Sequence, residues 1–193
     1  DSLRIMSIST RFLCQDLGKF PPEAKWATAD GVFIVGSTEG KGKWHLSDKL
    51  PTSWSMRFEG ITFNALPTPF RHLGFFPEQS PHWRWTAKKI KAFTKRYNRA
   101  PQLLNLFAYS GVASLHAAAA GAEITHLDAS KKAVAQAFDN RALSGLEDAP
   151  IRFIVDDALR FVARENRRGN RYDGILLDPP KYGRGPKGEI WQI

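Results

Sequence analysis

Asp178-Pro179-Pro180-Lys181-Tyr182 sets a carboxylate beside two prolines, which carry no amide donor. Proline fixes its own φ and keeps the preceding residue extended, so the carboxylate and the carbonyl oxygens are left as acceptors. An amine or the edge of a base could be held there. Three other segments end runs of strand-like sequence: Asn105-Leu106-Phe107-Ala108-Tyr109-Ser110-Gly111, His126-Leu127-Asp128-Ala129-Ser130 and Val155-Asp156-Asp157-Ala158. An open parallel sheet binds its ligand just beyond the carboxyl ends of its strands. Acids gathered at that edge suit a molecule rich in hydroxyls and amines, such as an adenosine.

Each segment has its own chemistry. Gly111 closes a turn and tolerates positive φ and a close approach; a plain turn role would also explain it, as core packing would explain Phe107. A single glycine in place of G-x-G-x-x-G argues against a pyrophosphate site and a nicotinamide oxidoreductase. Asp128 ends its strand where the matching acid of dinucleotide enzymes accepts from ribose hydroxyls. Ser130 is either a helix N-cap or a ligand contact. Asp156 and Asp157 are adjacent, so they face different ways and one of them is structural.

The elements that would position these groups alternate strand and helix at a period of about 25 residues. Strands are expected over Leu103–Phe107, Glu123–Asp128, Ile151–Asp156 and Tyr172–Asp178, with helices over 112–120, Ser130–Leu143 and Ala158–Arg167. Right-handed crossovers then give an α/β fold, a parallel sheet with helices on both faces. Upstream, Val32-Phe33-Ile34-Val35, the stretch around Trp44 and a hairpin about Glu59-Gly60 read as short strands. This divides the chain into a β-rich N-terminal extension, residues 1–80, and a core, residues 81–193. Residues 1–30 read as an arm or a sheet edge.

Between them, Pro81 to Asn98 reads as a helix. Trp83, Ala87, Ile90, Phe93 and Tyr97 make an apolar stripe; Arg84, Lys88, Lys91, Lys95 and Arg99 make a basic row centred roughly 140° away. The row is either a solvated face or a rail that follows phosphates. Charge supports the second reading. The net charge is +9, and the first hundred residues hold 16 Lys and Arg against 8 Asp and Glu, whereas the remainder is nearly balanced. A basic half beside a near-neutral half fits a polyanion-facing surface next to a cofactor domain.

Composition narrows the setting. Cys14 is the lone cysteine and the five His have no ligand spacing, so a reduced, metal-free, cytoplasmic protein is expected. Arg4, Ser7, Ser9 and Arg11 interrupt any signal-peptide core. No apolar run approaches the ~20 residues of a membrane span.

The series resembles class I S-adenosylmethionine-dependent methyltransferases. Among these it is most similar to the bacterial 23S ribosomal RNA methyltransferases acting on cytosine C5 or guanine N7. Asn105, Phe107, Tyr109 and Gly111 match an N-x-F-x-Y-x-G cofactor motif, and Asp178-Pro179-Pro180 followed by Lys and an aromatic matches the target-base motif. Gly74-Phe75-Phe76-Pro77-Glu78-Gln79 resembles the G-x-F-x-D-Q segment that roofs the pocket, with Glu78 in place of Asp and Ser80 where Arg is common. The resemblance implies a Rossmann-like fold, S-adenosylmethionine as cofactor, ribosomal RNA as partner, and cofactor contacts from Phe76, Gln79, Asn105, Phe107, Tyr109, Gly111, Asp128, Ser130, Asp156, Asp157 and Asp178. It gives the adenine amine to Asp156 or Asp157, and target positioning to Asp178, Pro179 and Pro180. It also implies seven strands where four are counted, so the sheet is expected to be truncated and the chain alone poorly soluble or weakly active. Cytosine C5 chemistry needs a cysteine, and Cys14 lies far from the motif. The rival readings are a non-catalytic RNA-binding module with a vestigial pocket and a small-molecule methyltransferase.

Overall fold

The computed structural model describes residues 12–14, 30–35, 42–48, 51–68, 72–184 and 188–192. The chain forms two compact units, Asp1–Phe58 with Asn64–Phe76, and Glu59–Phe63 with Pro77–Ile193.

In the first unit, β1 (Phe12–Cys14) runs parallel to β2 (Gly31–Val35), which pairs antiparallel with β3 (Gly42–Leu46). Phe33 is buried and meets Trp44 edge-on at 5.2 Å. The strand at Phe12–Cys14 is an element that sequence reading left illegible. Next, β4 (Trp54–Phe58) and β5 (Ile61–Ala65) form a two-stranded sheet. Glu59 and Gly60 between them take φ of 46° and 88°, the paired left-handed conformation that suits a two-residue hairpin.

The second unit is built on four parallel strands: β6 (Gln102–Leu106), β7 (Glu123–Asp128), β8 (Ile151–Val155) and β9 (Gly174–Leu177), in the order β8-β7-β6-β9. Alternation sends Leu104, Leu106 and Leu127 to one face, where they pack with Ala158 and Phe161 of α4 (Ala158–Arg167). Asn105 and His126 turn to the other face, against α2 (Val112–Ala119). There α3 (Lys131–Leu143) follows, its Phe138 ring 5.7 Å from Phe153 of β8. An outer helix, α1 (Ser80–Tyr97), stacks Trp83 on His116 of α2 at 5.1 Å. The expected parallel sheet and its helices are therefore present.

Some boundaries move for identifiable reasons. The first core strand stops at Leu106 because Phe107 adopts φ 56°. The fourth begins at Gly174, after Tyr172 has given its hydroxyl to Glu165 and Asp173 has accepted from Arg99 and from the Gln102 amide. Tyr97, assigned to the apolar stripe of α1, is 51% exposed and rests on Phe93 instead. Among the described residues β9 is an edge strand, and its Ile175 and Leu177 are exposed. An antiparallel hairpin, β10 (Tyr182–Arg184) with β11 (Ile190–Gln192), follows the Asp-Pro-Pro segment and was not anticipated.

Candidate functional site

Strand register brings the carboxyl ends of the sheet level. Ile154, Leu127, Leu106 and Leu177 form one row of neighbours across the four strands. Val155 and Asp128 are the next register partners, while Phe107 and Asp178 are the first residues beyond β6 and β9. With strands ~4.8 Å apart, Leu127 and Leu177 stand about 10 Å from each other, and Asp128 and Asp178 are the residues that follow them.

Asp128 organises that edge. Its two carboxylate oxygens accept from the Tyr109 amide and the Ser130 amide, each at 2.8 Å, so it ties the loop after β6 to the turn after β7. Burial raises its carboxyl above the ordinary aspartate value, while the amides of Ser130, Tyr109 and Ala129 pull the other way. With three amides on its four acceptor positions, the carboxylate keeps one position for a ligand hydroxyl.

The loop itself is strained. Phe107, Tyr109 and Gly111 all take positive φ, at 56°, 48° and 85°. Bulky residues in the left-handed region cost on the order of 1–3 kcal/mol each and persist where the surroundings over-determine them, often at ligand sites. Gly111 has a second constraint. A Cβ on it would lie 2.7 Å from the Cβ of Ala137, so glycine lets α3 approach the loop. Gly111→Ala should destabilise the fold by roughly 2–4 kcal/mol, from overpacking and the left-handed backbone together. Adding Ala137→Gly should recover only part of that in thermal unfolding. An unchanged melting temperature for the single variant would refute the packing argument.

Beneath the loop lies a buried polar chain. Asn105 donates to Ser114 Oγ at 2.9 Å, and Ser114 Oγ lies 3.0 Å from His126 Nδ1. The Asn105 side chain is thus held between sheet and α2. His126 is fully buried, which lowers it to about 4, so it is neutral at physiological pH. Asn140 of α3 donates to the Ser110 carbonyl at 2.9 Å and braces the loop from the same side.

The adjacent acids after β8 separate. Asp157 caps α4 by accepting from the Arg160 amide at 2.9 Å. Asp156 pairs with Arg164 at 2.7 Å, accepts from the Asp157 amide, and its own amide donates to the Asp128 carbonyl. Ser130 caps α3, its hydroxyl accepting from Ala133.

At the other end of the row, Asp178 Oδ2 accepts from Gln79 Nε2 at 3.0 Å. Gln79 Oε1 in turn meets His82 Nδ1 at 2.6 Å. A carboxylate oxygen accepts, so the Gln79 NH2 group must face Asp178 and its carbonyl oxygen must face His82. His82 Nδ1 is then the protonated, donating nitrogen. Sequence reading singled out Gln79 and Asp178 but missed His82, although its i+3 spacing from Gln79 was available as a signal. Trp191 of β11 was also missed: its Nε1 donates to the Pro180 carbonyl at 2.8 Å and its ring lies 4.8 Å from Phe107. One of the carbonyls expected to face a ligand is therefore already engaged. Phe76 belongs to the first unit, where its ring lies 4.9 Å from that of His72.

The basic row changes as well. Arg84 is paired with Glu59, and Arg99 clamps both oxygens of Asp173 at 2.7 Å. Lys88, Lys91 and Lys95 remain exposed. A cavity of about 740 Å3 opens at the opposite, amino-terminal edge of the sheet, lined in part by Gln102, Glu123, Arg152, Glu165 and Tyr172. Its two carboxylates are already engaged, Glu123 with Gln102 and Glu165 with Asn170 and Tyr172. The carboxyl-terminal edge carries the candidate site.

Residues 71–186 match the family described as Conserved hypothetical protein 95. The chain belongs to that family. Its fold is that of class I methyltransferases. The SAM-dependent methyltransferase from Agrobacterium tumefaciens superposes with a TM-score of 0.86 at 45% identity, covering 95% of this chain and 58% of that one. Ribosomal RNA large subunit methyltransferase K/L of Shewanella baltica is 37% identical over 131 residues, 67% of this chain and 17% of that protein. Ribosomal RNA large subunit methyltransferase I of Shewanella denitrificans is 36% identical over 93 residues, 48% of this chain and 23% of that protein. The chain thus spans less than a quarter of these two relatives.

Among the described residues, no helix is long and apolar enough to cross a membrane. No group of three or more His, Cys, Asp and Glu is gathered there as a metal site would require.

Proposed function

We propose that this chain carries the cofactor-binding core of an S-adenosylmethionine-dependent methyltransferase that modifies a base in ribosomal RNA in the cytoplasm. The observation that carries the reading is the single edge formed by Asp128, the Phe107–Gly111 loop and Asp178, with Gln79 joined to Asp178. The names of the Shewanella and Agrobacterium relatives support it.

The donor set fits the cofactor. Asp128 would accept from a ribose hydroxyl, Asp156 or Asp157 from the adenine amine, and the strained loop would seat the amino-acid portion. Ser130, as a helix cap, and Asn105, beneath the loop, would act by holding these groups in place. S-adenosylmethionine, when bound, supplies an electrophilic methyl carbon on a sulfonium. The remaining work is alignment and exclusion of water. Asp178 and the Pro179 carbonyl would orient the target base, with Gln79 and His82 fixing the carboxylate. The β-rich N-terminal extension would help to hold RNA.

Calorimetric titration with S-adenosylhomocysteine tests the reading. Saturable heat is expected; none would favour a binding module with a vestigial pocket. Comparing ribosomal RNA nucleosides by mass spectrometry, with and without the gene, then identifies the methylated base.

Of the five cations proposed as an RNA rail, Lys88, Lys91 and Lys95 are the ones to test, since Arg84 and Arg99 hold Glu59 and Asp173. Their joint replacement by Glu should weaken RNA binding roughly tenfold or more at low salt, lower its salt dependence, and spare the cofactor. Unchanged RNA affinity would make the row a solvated face.

A further inference from the structure

The cationic face of α1 is wider than its sequence row, and an aromatic lies inside it. At about 100° per residue, Trp85, Lys89 and Arg96 project within ~40° of one another, and Lys88, Lys95 and Lys91 follow about 60°, 80° and 120° round from Trp85. All six are exposed, and α1 contains no acidic residue. Trp85 is 60% exposed, and Lys89 Nζ lies 5.2 Å from its ring centroid. The position matters too. Trp85 follows Gln79, which touches Asp178, by six residues, a rise of roughly 9 Å along the helix with a rotation of about 120° about its axis. The aromatic therefore stands under two turns from the residue that touches the edge assigned to the target base, on the outward side of the helix.

An exposed aromatic set among cations is the arrangement by which proteins hold single-stranded nucleic acid: the ring stacks on a base and the cations meet the phosphates. We propose that Trp85, flanked by Lys88 and Lys89, is a stacking subsite for an unpaired base beside the nucleotide being methylated. The subsite rests on the methyl-transfer reading and adds a demand on the substrate, which must be unpaired next to its target. A purely electrostatic face would need no indole. A face built to pack on another protein would not surround its one aromatic with cations.

The test compares Trp85→Ala, Trp85→Leu, Trp85→Phe and Lys89→Ala in the purified protein. The probes are a short labelled single-stranded RNA and an abasic strand of the same length, followed by fluorescence anisotropy. Trp85→Ala and Trp85→Leu should weaken RNA binding about tenfold or more, and Trp85→Phe less than about threefold. On the abasic strand the Trp85 variants should match the wild type, while Lys89→Ala should still weaken binding and lower the salt slope. Equal loss on both strands, or none on either, would overturn the stacking subsite, as would a Trp85→Leu protein that binds RNA normally. Titration of the same proteins with S-adenosylhomocysteine separates the two levels. Wild-type protein without cofactor heat refutes the methyl-transfer reading, whereas normal heat with RNA binding insensitive to Trp85 refutes the subsite alone.

Discussion

Asp178→Asn is expected to lower the rate of methyl transfer by about 100-fold or more while leaving S-adenosylhomocysteine affinity within about tenfold of wild type. The variant keeps the size of the side chain, so the sheet edge is not emptied. It removes the charge and one of two equivalent acceptors, and the one oxygen left has to be shared between the Gln79 amide and any incoming amine. Asp178 sits at the end of β9, one residue beyond the register row that levels all four strands. A small error in its direction is therefore an error in where the target base is held, and misplacement of about 1 Å can cost about 100-fold. The relay behind it predicts a graded series. Gln79→Leu breaks the bond to Asp178 and should cost about tenfold, near the worth of one hydrogen bond. His82→Ala leaves Gln79 in place with an unpinned amide and should cost less. His82→Asn, which still presents a donor, should restore most of that loss. Single-turnover rates with saturating cofactor and thermal melts for each variant measure the series. Asp178→Asn turning over at the wild-type rate would remove this residue from the chemistry.

The core of the fold was legible because its signals are local. Apolar runs of strand length ending in acids, and glycines after the intervening helices, mark units that can pack together in few ways. The level row at the strand ends follows from that regularity. What escaped depends on partners distant in sequence. Nothing local in Asn105, Ser114 or His126 says that they join one another beneath the loop, because each looks polar in an apolar setting. Arg84 and Arg99 lie on a clean helical row, yet Glu59 and Asp173 claim them from other elements. Spacing along a helix reports which face a cation shares, not what stands opposite that face. The hairpin that brings Trp191 to Pro180 follows a segment rich in Gly and Pro, where periodicity carries no information.

Asp128→Asn should cost about tenfold or more in S-adenosylhomocysteine affinity. The reason lies in what the carboxylate already does. Both of its oxygens accept backbone amides, from Tyr109 on one side and Ser130 on the other. An asparagine has one acceptor, so its NH2 group must point at an amide that also donates. One of the two connections then breaks, and with it the tie between the strained turn at Tyr109 and the turn after β7. The same substitution removes an acceptor for the ligand hydroxyl, so loop order and ligand contact fail together. The pH dependence separates the charge from the shape. Burial raises the Asp128 carboxyl, so it takes up a proton at a higher pH than an ordinary aspartate. If a hydroxyl donates to the ionised form, cofactor affinity should fall as pH drops through that raised value. On stability the sign is opposite: a raised carboxyl favours folding below its unfolded value, and that contribution is lost as pH rises through the folded one. In wild-type protein, cofactor affinity and this part of the stability should therefore move in opposite directions across the same acidic window. Asp128→Asn should flatten both profiles there. Isothermal titration and thermal melts over that range measure the pair, and an Asp128→Asn protein with wild-type affinity would exclude this carboxylate from the ribose site.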